Sequence, residues 1–192
     1  GYPLTIKEAT EGNEQLYKAW MIGDFNVFFG KFFTMFDPAI HCVSFDEFFE
    51  DVDPHTEGEV IGSLDYGEND YTSYGHWWLG LNPKYGNGPV SYRVAEFYGK
   101  GLWPSAYAGR INDLITNHPV LGGRRPRVVH ADTNIWYTRG DAGENGMNRM
   151  VVDIFRQEAD LRLVEANKAR VQGFRWLKEQ LAWETNTKGV VV

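Results

Sequence analysis

The sequence predicts an α+β fold in one domain, with helices leading and antiparallel strands following. Three observations predict it. Apolar residues recur at helical spacing from Glu14 to Phe36. A further helical pattern spans Ser105 to Asn117. Beyond it come strand-like segments separated by turn residues such as Gly140-Asp141-Ala142-Gly143-Glu144-Asn145-Gly146. At 192 residues the chain is long enough to bury a core without disulfides or metals.

The first pattern places Leu16 and Trp20 on one helix and Phe25, Phe28, Phe29, Phe32, Phe33 and Phe36 on a second. Gly23-Asp24 forms the corner between them, with Asp24 as N-cap. Asp37-Pro38 ends the second helix, because a residue before proline is pushed out of the helical region. Ala39 to Phe45 then reads as a strand. Residues 46–88 are rich in Gly, Asp, Asn, Tyr and Pro and read as a long inserted arm, of the kind that serves as lid or binding loop. Val90 to Lys100 reads as a strand or short helix, and Ser105 as the cap of the next helix. Strands are expected at Arg127 to Thr138, Met147 to Gln157, Arg170 to Lys178 and Leu181 to Thr187, with a helical turn at Leu161 to Lys168.

Composition narrows the function classes. A net charge of -7 argues against a nucleic-acid surface, which needs a segregated basic face. The one tight basic group, Arg124, Arg125 and Arg127, reads as a solvated loop or subunit contact, with an anion clamp as the alternative. Cys42 is the single cysteine, so no intrachain disulfide can form and a reducing, cytoplasmic setting is expected. No apolar run approaches the roughly 20 residues of a membrane span. Aromatic residues make up 15% of the chain, which suits a pocket for a flat apolar ligand as well as a core.

The segment Val128-Val129-His130-Ala131-Asp132-Thr133-Asn134-Ile135-Trp136 carries the candidate chemistry. On a strand, His130, Asp132, Asn134 and Trp136 leave one face, offering a base, an acid, an amide and an aromatic plate. Histidine is the natural general acid or base near neutrality. His41 on the first strand is a second candidate. Tyr98, Lys100 and Arg110 are candidates for holding an anionic or phenolic oxygen. Trp20, Trp77, Trp78, Trp103 and Tyr107, with Arg110, are candidate substrate contacts. His130 and Asp132 lie two apart, and no second ligand pair completes a metal site. Neither a phosphate-cradling glycine loop nor a dinucleotide fingerprint is present, so no cofactor is expected.

The run Tyr17-Lys18-Ala19-Trp20-Met21-Ile22-Gly23-Asp24-Phe25-Asn26, continuing to Phe32-Phe33 and Asp37-Pro38-Ala39-Ile40, resembles the opening of SnoaL-like and scytalone dehydratase-like members of the nuclear transport factor 2-like superfamily. Val120-Leu121-Gly122, followed by His130 and Trp136, is similar to the scytalone dehydratase segment that contains its catalytic histidine. The resemblance implies a curved antiparallel sheet wrapped by N-terminal helices into a cone with an internal pocket, commonly oligomeric and commonly free of cofactor. Trp20 and Met21 stand where scytalone dehydratase has a tyrosine and an aspartate.

The expected activity is therefore a cofactor-independent lyase acting on a hydrophobic aromatic molecule, by dehydration or by side-chain cleavage that releases formaldehyde. His130, tuned by Asp132, would move the proton. The alternatives are an isomerase or cyclase of the same fold and a non-catalytic binding or assembly module. The expected partners are a small aromatic substrate and further copies of the chain, with no nucleic acid and no membrane.

Overall fold

Hydrophobic alternation along two consecutive segments builds the centre of the molecule. In Glu59–Asp65 (β1), Val60, Gly62 and Leu64 are buried while Ser63 and Asp65 are exposed. In Thr72–Leu81 (β2), Tyr74, His76 and Trp78 turn to that same buried side. The two strands form an antiparallel hairpin, and Pro89–Gly99 (β3) adds to β2, again antiparallel. The computed structural model describes residues 36–86, 88–142, 148–181 and 190–191. The chain divides into two compact units, Gly1–Met35 and Phe36–Val192, and the architecture here is that of the second.

After β3 the chain crosses back through a helix, Pro104–Thr116, and returns as Val129–Ala131 (β4), which lies parallel to β1. A second crossing runs through Val151–Glu158 to Leu163–Glu165, parallel to β4. With the crossing helices named α3 and α4 after the short turns Pro38–His41 (α1) and Phe45–Phe48 (α2), the two-stranded piece Arg139–Ala142 and Asn148–Met150 is β5 and β6. Leu163–Glu165 is then β7. Arg170–Leu181 is α5, and Val190–Val191 is β8. The main sheet is mixed, in the order β7-β4-β1-β2-β3-β8.

One face of this sheet packs under α3 and α4. Leu64, Tyr74, Val129 and Ala131 from the sheet meet Ile111 and Ile115 of α3 and Ile154 and Phe155 of α4. A second cluster joins Phe48, Val60, Trp78, Tyr92 and Leu121. Its rings interlock, with Phe48 stacked on Tyr92 at 4.2 Å and edge-on to Trp78 at 5.5 Å. Much of the aromatic content is thus core among the described residues, while Trp77, Phe174 and Trp176 line a separate cavity of about 640 Å³.

Several expected elements differ. Neither a cone nor a wholly antiparallel sheet forms: β4 and β7 run parallel to β1, which leaves an open mixed sheet. The helices expected at 14–36 and the strand expected at Leu181 to Thr187 lie essentially outside the described residues. Ala39 to Phe45 falls on α1 and the start of α2, where Asp37 and Ser44 cap successive turns. The stretch read as a long arm holds β1 and β2. Val151, Val152, Ile154, Phe155 and Ala159 are buried at spacings of one, three, four and eight, a helical stripe despite their β-branched composition. That helix ends in Ala159, followed by Asp160 in the left-handed region at φ 50°. Residues 170–178 are helical, and 163–165 form a strand.

Candidate active site at the strand ends

Parallel pairing of β1 with β4 brings two carboxylates to the same edge. Leu64 is the register partner of Ala131, and the Asp132 N–H donates to the Leu64 carbonyl at 3.1 Å. Asp65 and Asp132, each the next residue, therefore sit side by side at the C-terminal ends of adjacent parallel strands. Crevices outside such strand ends are where open α/β sheets bind ligands. The row continues across the sheet, because Asp65 pairs with Ser73 and Ser73 with Tyr98. All four residues share the face opposite the α3/α4 core.

The surroundings differ for the two acids. Asp65 is exposed and forms no ion pair among the described residues. Asp132 is half-buried and N-caps the 3-10 turn Thr133–Trp136, accepting from the Thr133 N–H at 2.8 Å. Lys168 Nζ lies 3.8 Å from the same oxygen. Behind them, burial first and then the nearby Glu68 push the Tyr66 phenol up to about 12, so it stays protonated.

The loop after Asp65 folds back onto the site. A Cβ on Gly67 would meet the Tyr71 carbonyl at 2.6 Å, so only glycine allows this closure. The Gly67 N–H donates to Thr72 Oγ1 at 3.3 Å. As a result Asp65, Gly67, Asp70, Tyr71, Ser73 and Tyr98 line a cavity of about 320 Å³. Tyr71 and Tyr98 stack on each other in its wall, with ring centres 4.6 Å apart and planes 3° apart. Lys100 lies 3.8 Å from Asp70 and 5.3 Å from the Tyr71 ring centre.

The residues singled out in the sequence scatter around this edge. His130 is exposed and pairs with Ser63, and Asp132 stands two residues on, just past the end of β4. Asn134 and Trp136 do not join them, because β4 stops at Ala131 and the chain turns. Asn134 instead donates to the Tyr66 carbonyl at 2.9 Å. Tyr98 and Lys100 stand at the edge.

His41 is buried elsewhere, between the Asp37 N–H, which donates to its Nδ1 at 3.0 Å, and the Leu181 carbonyl, 3.1 Å from Nε2. Trp78 and Tyr107 are core. Trp77 lies on the outer face and donates to Ser63 Oγ at 3.0 Å. Trp103 and Arg110 are exposed at and on α3. Trp20 lies outside the described residues.

The arginine cluster is internal stapling. Arg124 donates to the carbonyls of Pro54, Glu57 and Gly58, Arg125 donates to Ala159 and Asn112, and Arg127 pairs with Glu59. Sequence reasoning missed Asp65. Its signal was the alternation Val60, Gly62, Leu64 ending in an acid and a glycine turn, hidden by reading residues 46–88 as an arm.

No family model matches the chain, and no curated protein matches it. Solved structures do. The large terminase from a thermophilic bacteriophage matches with a TM-score of 0.53 at 20% identity, covering 84% of this chain and 33% of that one. The same terminase in complex with ADP matches with a TM-score of 0.52 at 20% identity, over 83% and 33%. The P22 large terminase nuclease domain matches with a TM-score of 0.53 at 12% identity, over 84% of this chain and 72% of that one. The match thus spans about a third of the length of the thermophilic phage protein, and the likeness is one of fold.

These findings overturn the resemblance to nuclear transport factor 2-like proteins. With it go the cone and the lyase acting on a small aromatic substrate. The charge argument against a nucleic-acid partner also fails, since a solved chain with this fold is a nuclease domain. Among the described residues no helix is long and apolar enough to cross a membrane.

Proposed function

We propose that this unit is a hydrolase of the nuclease type, cutting a polynucleotide phosphodiester at the edge formed by Asp65 and Asp132. One observation carries the reading. Two carboxylates stand on adjacent ends of the central parallel strands, in a fold whose solved counterpart is a nuclease domain. The net charge of -7 makes general adhesion to phosphate unfavourable, so binding relies on local cations. Lys168 and Lys100 flank the edge on either side. The lone exposed thiol of Cys42 fits a reducing compartment such as the cytoplasm.

The nuclease reading implies a divalent metal, and the donor set fits a hard cation of the magnesium type shared with substrate. Asp65 and Asp132 would hold it. Among the described residues no third His, Cys, Asp or Glu completes a cluster. Magnesium commonly binds through one or two carboxylates plus substrate phosphate oxygens. When bound, such an ion neutralises phosphoryl charge and lowers the pKa of a water.

The chain's own groups do the rest. Asp132 is held in orientation by the Thr133 N–H, which leaves its second oxygen for the reacting centre. Asp65, open to solvent, accepts hydrogen bonds from the attacking water. Lys168 draws the phosphodiester toward Asp132. Hydrolysis adds water across one P–O bond and leaves a phosphomonoester and a hydroxyl.

The test is cleavage of plasmid DNA with magnesium or manganese by the wild type, Asp65→Asn and Asp132→Asn. Each variant is expected to lose about 10²–10³-fold in rate, the scale of removing one preorganised electrostatic group, with an unchanged melting temperature. DNA left intact by the wild type with both ions, or cut equally fast by Asp65→Asn, overturns the proposal.

A further inference from the structure

Resting on that reading, we infer that Tyr71 and Tyr98 form a base-stacking shelf beside the carboxylates. The substrate would then be engaged as an unpaired strand, with one base unstacked onto the shelf. Two exposed tyrosines stacked face to face are unusual company for a carboxylate edge. Tyr98 is 64% exposed and Tyr71 48%, so neither ring is covered by the core. Their position is fixed by strand register: Tyr98 lies two strands from Asp65 in the same row, about 10 Å away at roughly 4.8 Å per strand. Ser73, the small residue between them, leaves the cavity of about 320 Å³ open. That volume is at the lower end for ligand sites, room for a single nucleotide and not for a duplex.

The chemistry selects the occupant. Every base has a π-face, so aromatic shelves bind single strands with little sequence preference. A base inside a duplex has both faces covered by its neighbours and must leave the stack first. Lys100, placed by Asp70 at the rim, supplies the cation that single-strand grooves pair with their aromatic rings. Tyr98, the more open ring, receives the base, and Tyr71 backs it. An apolar small molecule would not use the flanking carboxylate and ammonium, whereas a nucleotide uses the ring, the cation and the metal-binding edge together.

The experiment uses the full chain and a single-stranded oligonucleotide carrying 2-aminopurine, whose fluorescence falls when the base stacks. It is run in calcium and again in EDTA, with a duplex of the same sequence for comparison. The wild type is expected to quench the probe and to bind the single strand more tightly than the duplex. Tyr98→Ala should weaken single-strand binding about 5–100-fold and abolish quenching, while Tyr98→Phe keeps both. Absence of quenching by the wild type in both buffers overturns the inference, as does equal binding and quenching by Tyr98→Ala.

Asp65→Asn separates the two readings. Loss of cleavage in that variant with no effect of Tyr98→Ala removes the shelf and leaves the reacting edge. Loss of quenching in Tyr98→Ala while Asp65→Asn still cuts removes the reacting edge and leaves the shelf.

Discussion

Trp77 and Trp78 are neighbours in sequence and opposites in structure. Trp78 points to the inner face of the sheet, is fully buried, and donates to the Glu57 carbonyl at 3.0 Å. Trp77 points to the outer face, is half-buried, and donates to Ser63 Oγ with Arg93 at 5.8 Å from its ring centre. The inner face is closed by α3, α4 and interlocked rings. The outer face carries Ser63, Asp65, Ser73, Tyr98, His130 and Asp132. One face sets the fold; the other lines cavities, beside α5 at Ser63, Trp77 and His130 and at the strand ends at Asp65, Ser73 and Tyr98, and the strand period of two decides which residue serves which.

The sharpest way to break that contrast is to truncate each tryptophan. Trp78→Ala is expected to cost about 3–5 kcal/mol, as for other large-to-small changes in a packed core. Trp77→Ala loses a hydrogen bond and some partly exposed surface, at a cost of about 1 kcal/mol. Urea titration of both variants measures the difference. Equal losses would mean that the outer face is as closed as the inner one.

A somewhat smaller effect comes from the polar intruder in the inner face. His76 is 1% exposed, its Nδ1 lies 2.9 Å from the Tyr74 hydroxyl, and its Nε2 has no hydrogen-bond partner among the described residues. Burial pushes the Tyr74 phenol upward, so it stays protonated and donates to Nδ1. Burial foremost, and then the nearby His118, lowers the His76 ring to about 4. The unfolded chain takes up that proton near 6.5, so between 6.5 and 4 the unfolded state binds more protons. Stability is therefore full above about pH 6.5 and falls as the pH drops, by about 3 kcal/mol near pH 4. His118, also lowered by burial, adds in the same direction. Urea midpoints between about pH 7.5 and about pH 4.5 should fall steeply for the wild type and less steeply for His76→Gln.

The sequence made some elements legible and hid others for identifiable reasons. β3, read as a strand or short helix, and α3 lie within a residue or so of the expected bounds, because Pro89 and the alternation Val90, Tyr92, Val94 mark the first and Pro104 and Pro119 bracket the second. The cap was misplaced: Trp103 occupies the N-cap without a side-chain bond, and Pro104 fixes the first turn. The central hairpin was masked by its glycines. A Cβ on Gly80 would sit 2.4 Å from the Trp78 ring, so the glycine marks close ring-to-backbone packing inside a strand and not a loop. That masking also hid Asp65. Alternation set His130 and Asp132 two apart in sequence, but Asp65, 67 positions before Asp132, is brought beside it only by the parallel pairing of β1 with β4. Periodicity reports which way a side chain points and says nothing of which strand lies beside it.

The smallest expected effect tests whether the outer face draws anions at all. Lys168 Nζ lies 3.8 Å from Asp132, and its side chain is 63% exposed. An exposed pair of this kind contributes about 0–0.5 kcal/mol, so Lys168→Met should leave the melting temperature almost unchanged. If the lysine instead meets a backbone phosphate, its loss removes one released counterion. The slope of log affinity for a single-stranded oligonucleotide against log salt should then become shallower by about 0.7, with all sequences weakened alike. A slope identical to that of the wild type would confine Lys168 to orienting Asp132. The attraction of the outer face would then rest on Lys100.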